Sequence, residues 1–185
     1  MNILITGFAP FGGETINPSY EAVRLLPDEI AGHTIKKQEL PVTFQGAPVL
    51  LAEKVRAIRP DVLISVGQAG GRPDITPERI AINLMDARIP DNDGFSPVDI
   101  PVEKDGETAY FTTLPVKKMV EAMKEAGISA GLSYSAGSYV CNTVMYAGLY
   151  LAAREFPGMR AGFIHVPDIP EQQKAKKEGT PAMEL

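Results

Sequence analysis

One cysteine, Cys141, and two histidines, His33 and His165, are the residues of this chain best suited to move a proton or make a covalent bond. A thiolate beside an imidazole attacks a carbonyl, and the imidazolium left behind protonates a departing amine. Such a pair usually needs a carboxylate or amide to orient the ring. Spacing selects none of the 23 Asp and Glu residues. Glu78, in Thr76-Pro77-Glu78-Arg79, precedes an apolar run and could lie at a sheet margin, although an exposed ion pair with Arg79 is the plainer reading. Cys141 is open to two readings, a nucleophile or the inert buried thiol that a lone cysteine more often is. A non-catalytic α/β protein binding a small metabolite is the alternative that an inert Cys141 leaves. His33, in the turn-like Ala31-Gly32-His33-Thr34, reads as surface.

For Cys141 and His165 to act together, the fold must bring them to one edge. The chain alternates short apolar runs with amphipathic stretches, the pattern of an α/β protein. Residues 2–7 (NILITG), 61–67 (DVLISVG) and 161–166 (AGFIHV) read as buried strands. Residues 34–42 read as a strand nearer an edge, with 78–84 and 131–135 as shorter candidates. One helix is expected from Asn17 as N-cap, with Pro18 at its first position, to about Leu26. A second covers 47–59, with Val49, Leu50, Val55 and Ile58 available for an inward stripe, and others cover 115–127 and 138–156. Residues 86–108, rich in Pro, Asp and Gly, read as a long ordered loop.

In an open parallel sheet, ligands bind beyond the carboxyl ends of the strands. That rule collects residues 8–13, 68–72, 136–141 and His165. If the strands at 131–135 and 161–166 are parallel, Cys141 and His165 share an edge, separated by one helical crossover. With Ser138 as N-cap, Cys141 falls in the first helical turn, where free amides and the helix dipole favour a thiolate. The loop at 67–72 lacks the glycine spacing of a dinucleotide fingerprint and the Lys-Ser/Thr of a P-loop. Phe8 and Phe11, flanking a proline, suit an apolar pocket or the core.

Composition sets the class. At 185 residues the chain fits one domain and is long enough to bury about 70% of its unfolded surface. A net charge of −5 gives no basic face for nucleic acid, and no apolar run approaches the ~20 residues of a membrane span. The N-terminus has no basic region of a signal peptide, and one cysteine cannot form an internal disulfide, which fits a reducing cytoplasm. Neither HExxH nor a Cys/His cluster is present to suggest a metal site.

Longer motifs then stand out: GFAPFGG with Asn17-Pro18-Ser19, GQAGGR at 67–72, PERIAIN at 77–83 and DARIPDN at 86–92. With them go AYF at 109–111, TLP at 113–115, SAG at 135–137, Val140-Cys141-Asn142 and GFIHVP at 162–167. In this order, from Ile3 to about Gln172, they resemble the pyroglutamyl peptidase type I family, also called pyrrolidone-carboxylate peptidases. The resemblance implies a cytoplasmic cysteine peptidase that removes N-terminal pyroglutamate from peptides and needs no metal or cofactor. The implied fold is a three-layer α/β sandwich around a mixed, partly parallel sheet, assembled as a homotetramer or homodimer. Matched residue by residue, it implies Cys141 as nucleophile, His165 as base and acid, and Glu78 as the orienting carboxylate. Arg88 matches an arginine suggested to assist near the nucleophile. Phe8 and Phe11 match the lining of the pyroglutamyl pocket, and Asn17 and Gln68 fall near the substrate. The family normally continues into a C-terminal helix beyond the position of Leu185, so a single peptidase domain over 1–185 with that helix missing or truncated is the expectation.

Overall fold

In the computed structural model, which describes the backbone of residues 1–185 and every side chain but those of Lys174 and Ala175, the apolar runs become the middle of a sheet. β1 (Asn2–Phe8) is followed by α1 (Pro18–Leu25), the short β2 (Glu29–Ile30), β3 (His33–Leu40), α2 (Gly46–Ile58) and β4 (Val62–Gln68). β5 (Thr76–Pro77), β6 (Ile80–Ile82) and β7 (Ala109–Phe111) come next. The chain continues through α3 (Val116–Glu125), α4 (Val140–Arg154), β8 (Arg160–Val166) and a 3₁₀ turn at Pro170–Ala175.

The main sheet has six strands in the order β2-β3-β1-β4-β8-β5. The inner four are parallel, while β2 and β5 close the two edges antiparallel. β6 and β7 make a separate antiparallel ribbon. α2 and α4 cover one face, where Leu4, Leu51, Leu63, Val144 and Phe163 share the largest core. On the other face Val23 of α1 meets Ile5, Ile35 and Val66, and Val116 of α3 meets Val62. The result is a three-layer α/β sandwich with a mixed, mostly parallel sheet. Strands packed by helices on both faces are mostly apolar along their length, as in β1 and β4, whose buried Thr6 hydroxyl donates to that of Ser65 at 3.0 Å.

Several elements differ from the sequence reading. In α2 the buried positions are Ala47, Leu51 and Val55, spaced i, i+4, while Val49 is 59% exposed because it lies on the far side of that stripe. The expected strand at 78–84 shrinks to β6 (Ile80–Ile82) in the ribbon, while Thr76–Pro77, just before it, forms β5 on the main sheet and the buried Glu78 lies between the two. Residues 131–135 are not a strand. Ser133, and Ala130 just before the segment, make isolated parallel bridges to Glu78 and Ile75, the residues that flank β5. Since β5 is antiparallel to β8, this segment runs against β8 rather than with it.

Candidate active site

α4 leads into β8 through a short turn and packs back across β4 and β8, so its N-terminus lies over the carboxyl ends of the parallel strands. That geometry, rather than a parallel strand before Cys141, supplies the approach of cysteine to histidine. β4 and β8 pair so that Gly67 lies beside His165. Strand side chains alternate between faces, so His165 shares the α4 face with Phe163, whose ring centroid is 4.9 Å from the imidazole. Cys141 reaches this face from above. Its Sγ lies 2.9 Å from where a Cβ on Gly67 would stand, and the Phe163 ring edge is 2.6 Å from the same point. Glycine at 67 leaves the space that the sulfur occupies.

Cys141 is the second residue of α4, whose N-cap is Tyr139 and not Ser138. The Ser138 hydroxyl instead donates to the Asp86 carbonyl at 2.7 Å. At a helix start the first amides have no partner within the helix, so those of residues 139–142 remain available to an anion. Glu78 is wholly buried. Its Oε1 lies 2.7 Å from His165 Nδ1 and also accepts from the Arg72 guanidinium at 2.8 Å. An ionised carboxylate can only accept, so Nδ1 carries the proton and Nε2 is the free imidazole nitrogen.

Burial pushes the Glu78 carboxyl upward, but the hydrogen bond from His165 and the neighbouring positive groups hold it below the usual carboxylate value. Ser133 adds to that lowering, although its hydroxyl is turned toward the Ser135 carbonyl at 3.3 Å. For His165 burial dominates and keeps the imidazole below its ordinary value, even though Glu78 pulls it up. Burial pushes the Cys141 thiol up to about 12, with Glu78 adding to the rise and Arg72 opposing it. Burial thus opposes both a thiolate at Cys141 and an imidazolium at His165, and among the described residues no hydrogen bond joins the two.

Beside Cys141 opens a cleft of about 310 Å³. Phe8, Phe11, Val42, Tyr139 and Val140 give it apolar walls, and Glu14, Asn17, Gln68 and Lys176 add polar groups. Phe8 is both wall and core, since it is buried and its ring lies 6.3 Å from that of Phe163. Phe11 rests on Tyr139 at 5.5 Å. Asn17 caps α1 through Oδ1, and its amide donates to the Ala9 carbonyl, fixing the loop that carries Phe11. The Gln68 amide donates to buried Asp168 at 2.5 Å and to Gln172 at 3.3 Å, while Lys176 donates to the same Asp168 oxygen at 3.0 Å. Arg88 is exposed, lies outside the cleft lining, and its side chain makes no hydrogen bond among the described residues.

The exposed Glu78–Arg79 pair that composition favoured does not form. Arg79 stacks over Phe111 at 5.2 Å instead. Sequence reasoning gave no role to Arg72, Asp168 or Gln172. A cation six residues before a candidate acid, in the loop at the end of a buried strand, was the available signal for Arg72.

An α/β sandwich that sets a cysteine, a histidine and a buried carboxylate beside an apolar cleft has the parts of a cysteine-type hydrolase. The pattern of the pyroglutamyl peptidase family matches residues 1–185, and the chain belongs to that family. It is 52% identical to the pyrrolidone-carboxylate peptidase of Clostridium perfringens over 185 residues, which is 100% of this chain and 86% of that one. To the pyrrolidone-carboxylate peptidase of Thermococcus onnurineus it is 54% identical over 184 residues, covering 92% of that protein. The crystal structure of Bacillus amyloliquefaciens pyroglutamyl peptidase I superposes with a TM-score of 0.94 at 46% identity, covering 99% of this chain and 88% of that one.

Proposed function

We infer that this protein is a cysteine omega-peptidase that hydrolyses the amide bond after an N-terminal pyroglutamyl residue of peptides. The observation that carries the reading is the buried Glu78–His165 pair, 2.7 Å apart, on the face where Cys141 meets Gly67 beside an apolar cleft. Pyroglutamate is a neutral lactam with no ammonium to grip, so aromatic walls with a few polar groups suit it. Phe8 and Phe11 hold the flat ring, and Asn17 and Gln68 stand near its amide edge.

His165 Nε2 accepts the thiol proton as Sγ attacks the pyroglutamyl carbonyl, and Glu78 stabilises the imidazolium that forms. Amides in the first turn of α4 receive the oxyanion. Collapse of the tetrahedral adduct breaks the C–N bond, and His165 returns the proton to the leaving amine. Water, activated by the same imidazole, then hydrolyses the thioester and frees pyroglutamate. Arg88, exposed on its loop, is left out of this scheme. The 185 residues act as one peptidase domain, self-associated through exposed apolar side chains. The single free cysteine suits a reducing cytoplasm. No helix among the described residues is long and apolar enough to cross a membrane.

Release of chromophore from a pyroglutamyl anilide tests the reading. Cys141→Ala is expected to abolish release, to less than about one part in a thousand, with an unchanged circular dichroism spectrum. Turnover that persists in the folded variant overturns the assignment of the nucleophile.

A further inference from the structure

Arg72 takes no part in the scheme above, yet it is the side chain that joins the pieces of the site. It follows Gly71, whose φ of +86° turns the loop after β4 back toward β5. Its Nη1 donates to the Thr76 hydroxyl and to Glu78 Oε1, each at 2.8 Å, and its Nη2 donates to the Ser135 carbonyl at 3.3 Å. Glu78 Oε1 is the atom that also faces His165. Roughly a third of the Arg72 side chain is open to solvent, while that of Glu78 is closed. We propose that Arg72 is a positioning residue, a fixed cation that clamps the orienting carboxylate and ties it to the loop leading into the nucleophile's helix. The proposal rests on the peptidase reading of Cys141 and His165.

When the proton passes from Sγ to Nε2, the site holds a thiolate, an imidazolium and a carboxylate, and Arg72 brings their sum from −1 to zero. A guanidinium with donors in a fixed fork holds one carboxylate oxygen in place, so the imidazole is aimed and not merely charged. A fixed cation also favours the deprotonated form of both the thiol and the imidazole, so its effects on the two have the same sense. The groups facing the pair are Glu78, Arg72 and the phenol of Tyr139, which burial and its neighbours push up to about 12. Removing the Arg72 charge therefore moves the whole interval in which thiol and imidazole share one proton to higher pH. A clamp that was only structural would lower the rate and leave that interval in place.

The test compares Arg72→Gln, which keeps a donor and loses the charge, with Arg72→Lys, which keeps the charge and loses the fork. kcat/KM for a pyroglutamyl anilide and the rate of alkylation by iodoacetamide are followed across pH on full-length protein. In Arg72→Gln both limbs of each profile are expected to move up by on the order of half a pH unit, with kcat reduced and KM near its original value. In Arg72→Lys the limbs stay in place while kcat falls. Limbs that do not move in Arg72→Gln, or that move in opposite directions, overturn the proposal. Arg72→Met repeats the charge removal if the glutamine variant does not fold. Absence of turnover in the unaltered chain, or turnover in Cys141→Ala, would instead strike the peptidase reading, and neither can be mistaken for unmoved limbs.

Discussion

At Glu78 and His165, burial and charge act on two partners of one hydrogen bond, and both groups end with a pKa below the ordinary value. The consequences for stability have the same sign. Unfolded His165 takes a proton near its ordinary value of 6.5, and the buried ring does so only at lower pH. As pH falls from 6.5 toward the folded value, the unfolded chain binds more protons and stability drops. Glu78 contributes stability that is present above the ordinary value of 4.5 and is lost as pH falls through its lower folded value. Acidification therefore acts first through the histidine and then through the carboxylate, and neither adds pH dependence above neutrality. Urea midpoints are expected to begin to decline as pH falls through the ordinary histidine value of 6.5 and to keep falling toward the lower folded value. His165→Gln should flatten that part of the curve and leave the decline at lower pH. An equally steep decline in the variant would show that other groups set the acid sensitivity.

The strands and helices were legible where the physics is local. β1, β4 and β8 are buried between helices and announce themselves as apolar runs, and Asn17-Pro18 marks the start of α1 through a side-chain cap to Ser19. The segment at 131–135 was not legible, because two isolated bridges set by β5 decide its course and its glycine and serines have little to pack. The placement of Cys141 over the sheet face that carries His165 was therefore anticipated for the wrong reason. It depends on α4 crossing back over β8 and on the missing side chain at Gly67. Gly67→Ala places a Cβ 2.9 Å from Cys141 Sγ and 2.6 Å from the Phe163 ring, so something must shift. Overpacking of this kind costs about 1–3 kcal/mol, and displacement of the thiol by even about 1 Å lowers kcat by ~100-fold. Gly148→Ala provides the comparison, since its Cβ would meet a Leu63 methyl at 2.8 Å, in the middle of α4 and away from the thiol. It should change the melting temperature less, because that methyl ends a flexible side chain and alanine suits a helix interior by about 1 kcal/mol over glycine, and it should keep most of its turnover. Equal losses of turnover in the two folded variants would remove the special role of the space at 67.

Over the whole molecule, the motifs pointed to Cys141, His165 and Glu78, while the polar groups that hold the neighbouring side chains were hidden. Asp168 and Gln172, from the stretch after β8, meet Gln68 only in the folded state, and for Arg72 the sole signal was its place six residues before Glu78. The loop at 86–108 was recognisable as ordered, and the reason is the buried Asp91. Its carboxylate accepts from the amides of Phe44 at 2.8 Å, Phe95 at 2.9 Å and Asp93 at 3.0 Å. That fixed loop holds Ile89 at 53%, Val98 at 69% and Ile100 at 39% exposure. A pinned segment that presents apolar side chains to water is better explained by a partner surface than by chance, since scattered single residues need no such support. A second copy of the chain is the partner expected here, with about 800 Å² buried on each side for a lasting contact. Light scattering on the unaltered chain is then expected to give a multiple of 19.9 kDa. Val98→Glu, which sets a charge in the most exposed of the three positions, should shift the mass toward a single chain with the fold retained. A mass of 19.9 kDa for the unaltered protein, or an oligomer indifferent to Val98→Glu, would place the interface elsewhere or nowhere.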